Sequence, residues 1–245
     1  MIDVALTPAE IRRWRDRDLS GHTVVVFDVL RATSTMITAL ANGVTSILPV
    51  EDLEEARQQK LADPELLLAG ERGGLPLAGF DLGNSPAEFE KLAGHRCVMT
   101  TTNGTVALRH MAAAKRVYIG ALLNLDELAW VLLEENPAEL LCVCAGTGEE
   151  FALEDGLAAG GLIARLAAAQ TNSDAARLVL AAYQSLGSNI ASCLLTSMNG
   201  AALCRIGKEA DVRFCSRESV YPVVGELRDG LIVERLGRGT CELAV

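Results

Sequence analysis

Basic residues are scarce in this sequence, which has 22 Lys and Arg against 32 Asp and Glu and a formal net charge of −10. Binding to a nucleic-acid backbone requires clustered lysines and arginines, so this balance argues against nucleic acid as the main partner. An acidic protein that binds an anionic ligand also needs local arginines or a divalent metal to offset the repulsion. The charge therefore restricts the kind of site that an anion could use.

Spacings typical of zinc ligands are also lacking. The seven cysteines form no Cys-x-x-Cys pair, and the three histidines are scattered. A zinc site is therefore not expected, and any metal would be a hard ion bound by oxygen. The odd number of cysteines, most of them in apolar contexts, is typical of reduced thiols in the cytosol.

Segments that would send the chain to a membrane are not evident. The longest apolar runs, such as 157–169, are interrupted by glycine or arginine and are too short to span a bilayer. The first residues lack the pattern of a signal peptide, and a Walker loop, a Gly-x-Ser-x-Gly turn and a His-Glu-x-x-His helix are absent. We expect a cytoplasmic protein without a membrane partner. A homodimer is expected only because dimers are common.

Half of the residues are hydrophobic, which is enough for a substantial core. Apolar runs predict strands at 23–29, 45–50, 66–69, 96–101, 116–119 and 140–145. Between them, helical patterns lie at 33–41, 53–61, 103–113, 125–134 and 154–168. Continuous apolar strands that alternate with helices predict a three-layer α/β/α fold with a mostly parallel sheet.

The pattern changes after about residue 171. Helices in series are predicted at 174–184, 189–194 and 198–204. Strands at 220–227 and 231–236 flank an Asp-Gly pair and predict a β-hairpin, which makes the sheet mixed. We expect one α/β domain over 1–245, with room for a smaller helical and hairpin lobe from about residue 171.

The boundary between the strand at 96–101 and the helix after it is rich in hydroxyl groups. Backbone N–H groups at a helix start favour anions, and a glycine lets an oxyanion approach the backbone. The stretch predicts a phosphate or sulfonate cradle, with an ordinary capped turn as the alternative. Its members are Thr100, Thr101, Thr102, Asn103, Gly104 and Thr105.

The first predicted strand, at 23–29, ends in Asp28, and Arg31 follows three residues later. A carboxylate at a strand end suits Mg²⁺, which proteins usually hold with one or two carboxylates plus the phosphate of a ligand. The guanidinium of Arg31 could bind a phosphoryl or sulfonate group with two parallel hydrogen bonds. The alternative is an ion pair between the two side chains across the turn.

Acidic residues also follow two other strands. Glu71 and Arg72 begin a segment, 70–86, with five glycines and two prolines, and ordered loops of this length are usually functional. A solvent-exposed connector is the alternative. Glu154 and Asp155 open a helix and could be metal ligands or a general base, although acids at a helix start are favourable in any case.

These polar residues follow successive strands, whose ends lie along one edge of a parallel sheet. A metal-assisted reaction on a small anionic ester uses most of them. A nucleotide-dependent oxidoreductase is a rival, because Gly146-Thr147-Gly148 begins like a dinucleotide fingerprint, but the third glycine is missing. A non-catalytic module that binds a phosphorylated metabolite is a second rival, although a pure anion sensor gains nothing from the surplus carboxylates.

Over about residues 23–211 the sequence resembles the 2-phosphosulfolactate phosphatase family. The motifs that carry the resemblance are Phe27 to Ser34, Gly70-Glu71-Arg72, Gly83-Asn84-Ser85-Pro86, Thr100 to Thr105, Cys144-Ala145-Gly146 and Glu154-Asp155. The resemblance implies a three-layer fold and Mg²⁺-dependent hydrolysis of 2-phospho-3-sulfolactate to 3-sulfolactate and phosphate, a step of coenzyme M biosynthesis. A different phosphorylated hydroxy acid is the alternative substrate.

The chemistry of the side chains suggests their roles. Asp28 would hold Mg²⁺ together with Glu71, Glu154 or Asp155, and Arg31 would stabilise charge on phosphorus. The catalytic candidates are Asp28, Arg31, Glu154 and Asp155. The candidates for binding the phosphoryl group are Thr101, Thr102, Asn103, Gly104 and Thr105, and Arg72 and Asn84 would hold the carboxylate or sulfonate end.

Overall fold

The computed structural model describes residues 1–166 and 173–235. The strands are β1 Ile2–Ala5, β2 His22–Phe27, β3 Ser46–Val50, β4 Leu67–Arg72, β5 Leu75–Pro76, β6 Arg96–Thr100, β7 Arg116–Gly120, β8 Glu139–Cys144, β9 Gly225–Arg228 and β10 Leu231–Glu234. The α-helices are α1 Pro8–Arg15, α2 Ala32–Ala41, α3 Leu53–Ala62, α4 Gly104–His110, α5 Leu125–Glu135, α6 Leu153–Arg165, α7 Asp174–Leu186, α8 Ile190–Thr196, α9 Met198–Arg205 and α10 Glu209–Cys215.

The strands form one mixed sheet in the order β1-β8-β2-β7-β9-β10-β3-β6-β4-β5. One parallel group contains β1, β8, β2 and β7, and a second contains β3, β6 and β4. The hairpin β9–β10 lies between them and pairs antiparallel with β7 on one side and β3 on the other. Because three antiparallel pairings separate the groups, the groups run in opposite directions along the sheet.

The predicted hairpin is confirmed, and its turn uses the expected residues. Asp229 and Gly230 have φ angles of 50° and 81°, as a two-residue hairpin turn of the favoured hand requires. The hairpin was expected only as an antiparallel addition, and its position in the middle of the sheet was not predicted.

Helices cover both faces of the sheet, which confirms the predicted α/β class. Along β2 the side chains alternate between two buried clusters, with Val24 and Val26 in one and Val25 and Phe27 in the other. Strands buried on both faces are expected to be continuously apolar, as this one is.

The predicted elements match those observed to within about five residues, but four of the elements named above were missed. These are β1, α1, β5 and α10. Thr7 caps α1 by accepting a hydrogen bond from the Glu10 amide at 3.3 Å. The predicted ends at 168 and 236, and the lobe boundary at about 171, lie outside the described residues.

One helical stretch among the described residues, Asp174–Thr196, has the length and apolar composition of a membrane-spanning helix. Its mean hydropathy is 1.4, and 17% of its apolar window is buried. Length and composition alone are weak evidence for a span, and Val179 of this stretch packs into the core. The expectation that the chain has no membrane partner stays a prediction.

Candidate functional site

A cavity of about 330 Å³ lies where the ends of β2, β4, β6 and β8 come together. The sequence predicted that these ends share one edge of one parallel sheet. The residues at these ends do line one cavity, but the strands belong to two parallel groups that run in opposite directions, so the prediction of one shared edge of one parallel sheet is wrong. The charged and amide side chains that line the cavity are Asp28, Arg31, Glu71, Asn84, Asn103 and Asn199.

Asp28 lies at the end of β2 and is 7% exposed. Its Oδ1 accepts a hydrogen bond from the Ala32 amide at 3.2 Å. Burial raises the pKa of Asp28 to about 7, and the nearby carboxylates of Glu71 and Glu154 add to that rise. Gly104 packs against this side chain, and a Cβ at Gly104 would lie 2.5 Å from Asp28 Oδ2. Gly104 was predicted to bind the phosphoryl group, and the structure shows a packing reason for the glycine, since any side chain at this position would clash with the Asp28 carboxylate.

Glu71 is buried and joins two loops of the site. Its Oε1 accepts from the amide and the hydroxyl of Thr102 at 3.0 and 3.1 Å, and its Oε2 accepts from the Gly74 amide at 2.7 Å. The carboxylate therefore holds the end of β6 and the β4–β5 turn in place while it lines the cavity.

Glu154 and Asp155 are both 1% exposed but differ in their partners. Asp155 accepts from the Val29 amide at 2.8 Å and the Gly146 amide at 3.0 Å, so each of its oxygens already has a donor. Burial, together with Asp28 and Glu154, raises the pKa of Asp155 well above its ordinary value. Glu154 Oε1 accepts from the Asn199 amide group at 3.0 Å, whereas its buried Oε2 has no hydrogen-bond partner.

The two predicted arginines differ in position. Arg31 lines the cavity and forms a buried ion pair with Asp211 on α10, so the alternative of an ion pair between Asp28 and Arg31 across their turn is wrong. Arg72 instead donates to the Thr100 hydroxyl at 2.9 Å and is not part of the cavity lining.

The threonine-rich loop bonds mainly to itself and to its neighbours. The Thr101 amide donates to the Thr105 hydroxyl and the Thr105 amide to the Thr101 hydroxyl, at 3.0 and 3.1 Å, and both side chains are buried. These two hydroxyls are therefore used within their own turn, and the predicted binding of phosphate by the loop stays a prediction, with Thr102 and Asn103 as its members in the cavity lining. Asn103 lines the cavity and donates to the carbonyls of Ala145 and Gly148 at 2.9 and 2.8 Å.

Two polar residues of the C-terminal helices belong to this region and were missed in the sequence. Asn199 on α9 lines the cavity and donates to both Leu30 O and Glu154. Asp211 on α10 pairs with Arg31. Their only signals are that each lies near a helix start, where such residues are common for local reasons. Asn84 also lines the cavity, and its buried Oδ1 has no partner.

Within 1–166 and 173–235, no three His, Cys, Asp or Glu side chains form a ligand group for a metal ion. A closed protein cage for a metal is therefore not found among these residues. Mg²⁺ usually keeps several waters and takes one or two carboxylates plus a substrate phosphate. The carboxylates of Asp28 and Glu154, of which Glu154 Oε2 is unpartnered, fit that requirement.

Comparison with known proteins gives a consistent result. The family model described as 2-phosphosulpholactate phosphatase matches residues 7–230. A protein of Caldicellulosiruptor saccharolyticus is 40% identical over 240 residues, covering 94% of this chain and 99% of its own length. A protein of Thermotoga petrophila is 36% identical and the match covers 95% of this chain and 98% of that protein. A protein of Clostridium beijerinckii is 34% identical and the match covers 98% of this chain and 99% of that protein. All three are named probable 2-phosphosulfolactate phosphatase.

Proposed function

The chain is a phosphoric monoester hydrolase of the 2-phosphosulpholactate phosphatase family, and on that premise we propose that its substrate is the phosphate ester of a small hydroxy acid. The names of the relatives make 2-phospho-3-sulfolactate the first candidate, with 3-sulfolactate and phosphate as products. A different phosphorylated hydroxy acid is the alternative. The observation that supports this proposal is a cavity whose lining combines buried carboxylates with one buried guanidinium.

We propose that the reaction depends on Mg²⁺. The lining carries the carboxylates of Asp28 and Glu71, and the charge of Arg31 is already balanced by Asp211. A phosphate ester would therefore meet net negative charge unless a divalent cation accompanied it. Asp28 and Glu154 would hold the ion, since both oxygens of Asp155 are engaged by backbone amides. When bound, the ion would neutralise charge on the phosphoryl oxygens and orient them.

The protein groups then have distinct tasks. Arg31 would donate to the phosphoryl oxygens and stabilise charge that develops during transfer, where most phosphoryl-transfer catalysis arises. If Asp28 alone holds the ion, Glu154 is instead the candidate for taking a proton from the attacking water, because its Oε2 has no hydrogen-bond partner. The amide group of Asn84 would hold the carboxylate or sulfonate end of the substrate.

Phosphate release from a panel of phosphorylated hydroxy acids, measured with Mg²⁺ and with EDTA, tests the proposal. We expect hydrolysis of at least one of them, its loss in EDTA and its recovery with Mg²⁺. Asp28→Asn should abolish hydrolysis, and Asp174→Asn, at a fully exposed side chain, serves as the matched control. Turnover that chelation does not affect would contradict the metal, and a panel with no phosphate release would contradict the substrate class.

A further inference from the structure

Arg31 is held from two sides within the fold. Its side chain is 2% exposed, its Nη1 donates to Asp211 Oδ2 at 2.5 Å, and its Nη2 donates to Gly74 O at 2.7 Å. Asp211 Oδ1 accepts from the Ser85 hydroxyl at 2.7 Å. The Asp211 carboxylate therefore accepts from both the Arg31 guanidinium and Ser85. Ser85 is the neighbour of Asn84, and Asn84 lines the cavity.

The ion pair with Asp211 keeps the Arg31 side chain at the cavity and also offsets part of its positive charge. Arg31 lines the cavity, whereas Asp211 lies behind it on α10 and is not part of the lining. Among the described residues that line the cavity, Arg31 is the one Lys or Arg side chain. Its guanidinium has five N–H donors, of which one on Nη1 donates to Asp211 and one on Nη2 donates to Gly74 O. The other N–H donors remain for a ligand. An anion in the cavity must therefore share this charge with Asp211.

Such sharing affects the ground state and the transition state differently. A guanidinium without its counter-ion would bind phosphate more tightly, since a buried charge is strongly disfavoured when it is left unpaired. Tighter binding of substrate and product does not accelerate the chemical step, and it slows the release of product. A carboxylate that fixes the guanidinium and reduces its attraction for phosphate would favour turnover.

We propose that Asp211 is a positioning residue that fixes Arg31 in the cavity and limits how tightly Arg31 binds phosphate. This inference rests on the proposed function, because it requires a phosphoryl anion at this cavity. Ser85 belongs to the same device, since its hydroxyl holds the second oxygen of Asp211 and withdraws part of that carboxylate from Arg31.

The first test is inorganic phosphate binding to the full chain carrying Asp211→Asn, measured by calorimetry and as product inhibition. We expect the Kd for phosphate to fall by roughly tenfold, the change that accompanies about 1.4 kcal/mol, together with a lower kcat. Asp211→Glu should restore part of both values. Glu209→Gln, which breaks an exposed ion pair on the same helix, is the matched control and should change neither. Phosphate binding that is unchanged or weaker in Asp211→Asn would overturn the proposal.

A double-mutant cycle shows whether Asp211 acts through Arg31. In a chain that already carries Arg31→Gln, the further change Asp211→Asn should leave the Kd for phosphate unchanged, because the tighter binding expected of Asp211→Asn depends on the Arg31 guanidinium. A gain that persists without Arg31 would refute the positioning role. These binding measurements need no turnover, so wild-type protein that binds phosphate but hydrolyses no substrate would refute the proposed function alone.

Ser85→Ala keeps the inference testable if Asp211→Asn does not fold. Without the hydroxyl donor, Asp211 accepts only from Arg31 and attracts it more strongly. Because Ser85 acts on phosphate only through Asp211, a fraction of the energy of its hydrogen bond should reach the ligand, and phosphate binding should weaken by about threefold. Tighter or unchanged binding in Ser85→Ala would contradict the charge sharing.

Discussion

Replacing Asp28 with asparagine should change how the stability of the metal-free protein depends on pH. Burial raises the pKa of Asp28 to about 7, whereas an aspartate in an unfolded chain has a pKa of about 3.9. A carboxyl whose pKa is raised by folding contributes stability below the unfolded pKa, and that contribution is lost as the pH rises through the folded pKa. Asparagine does not titrate, so the variant should lack this loss.

The size of the effect follows from the two pKa values. Between pH 5 and pH 8 the folded Asp28 releases nearly one proton, whereas in the unfolded chain this carboxyl is already ionised. At about 1.36 kcal/mol per pKa unit, wild type should lose roughly 2–3 kcal/mol of unfolding free energy over this interval that Asp28→Asn does not lose. For a chain of this length that is about 5–10 °C in Tm.

Urea or thermal unfolding in EDTA at pH 5, 6, 7 and 8 measures this difference. Asp28→Asn also turns an NH₂ group towards backbone amides, which costs stability at every pH, so the slope is the informative quantity. Asp174→Asn should follow wild type, because that side chain is fully exposed. Parallel pH profiles for wild type and Asp28→Asn would refute the reasoning.

Three further predictions concern the same cavity. Arg31→Ala should lower both kcat and kcat/KM, because it removes transition-state stabilisation; steady-state kinetics would show a change in KM alone if that role were wrong. Gly104→Ala should displace the Asp28 carboxylate and cost about 1–3 kcal/mol in urea unfolding, whereas Gly21→Ala, which has open space around it, should cost far less; equal costs would contradict the packing argument. Mg²⁺ affinity, measured by calorimetry, should weaken by about tenfold per pH unit below pH 7, because a proton on Asp28 competes with the ion; affinity independent of pH would argue against Asp28 as a ligand.

Local sequence signals were sufficient for most of the fold. Asp229 and Gly230 adopt the positive φ angles that a tight hairpin turn needs, and Ser197, directly before α9, caps that helix by accepting a hydrogen bond from the Gly200 amide. Both features depend on residues within a few positions of each other. The apolar strands were equally clear, because burial on both faces leaves no polar alternation.

The partners of the site residues depend on distant parts of the chain and could not be predicted. Nothing near Arg31 in the sequence indicates that Asp211, 180 positions away, balances its charge. In the same way, Thr101 and Thr105 had the composition of an anion cradle, but their hydroxyls bond to the amides of their own turn. The sequence shows which hydroxyl and amide groups could bind an anion, whereas the hydrogen bonds within the folded loop determine which of them are still available.

The central hairpin has a consequence for the order in which the protein acquires its site. Asp28 and Glu154 follow strands of one parallel group, whereas Glu71 lies near the end of β4 and Thr102 follows β6 in the other. The hairpin β9–β10 is the hydrogen-bonded connection between the two groups within the sheet. Residues 225–234 are synthesised after all of these side chains. The sheet that carries both sets of carboxylates is therefore continuous only after residues 225–234 have been made and have paired with β7 and β3.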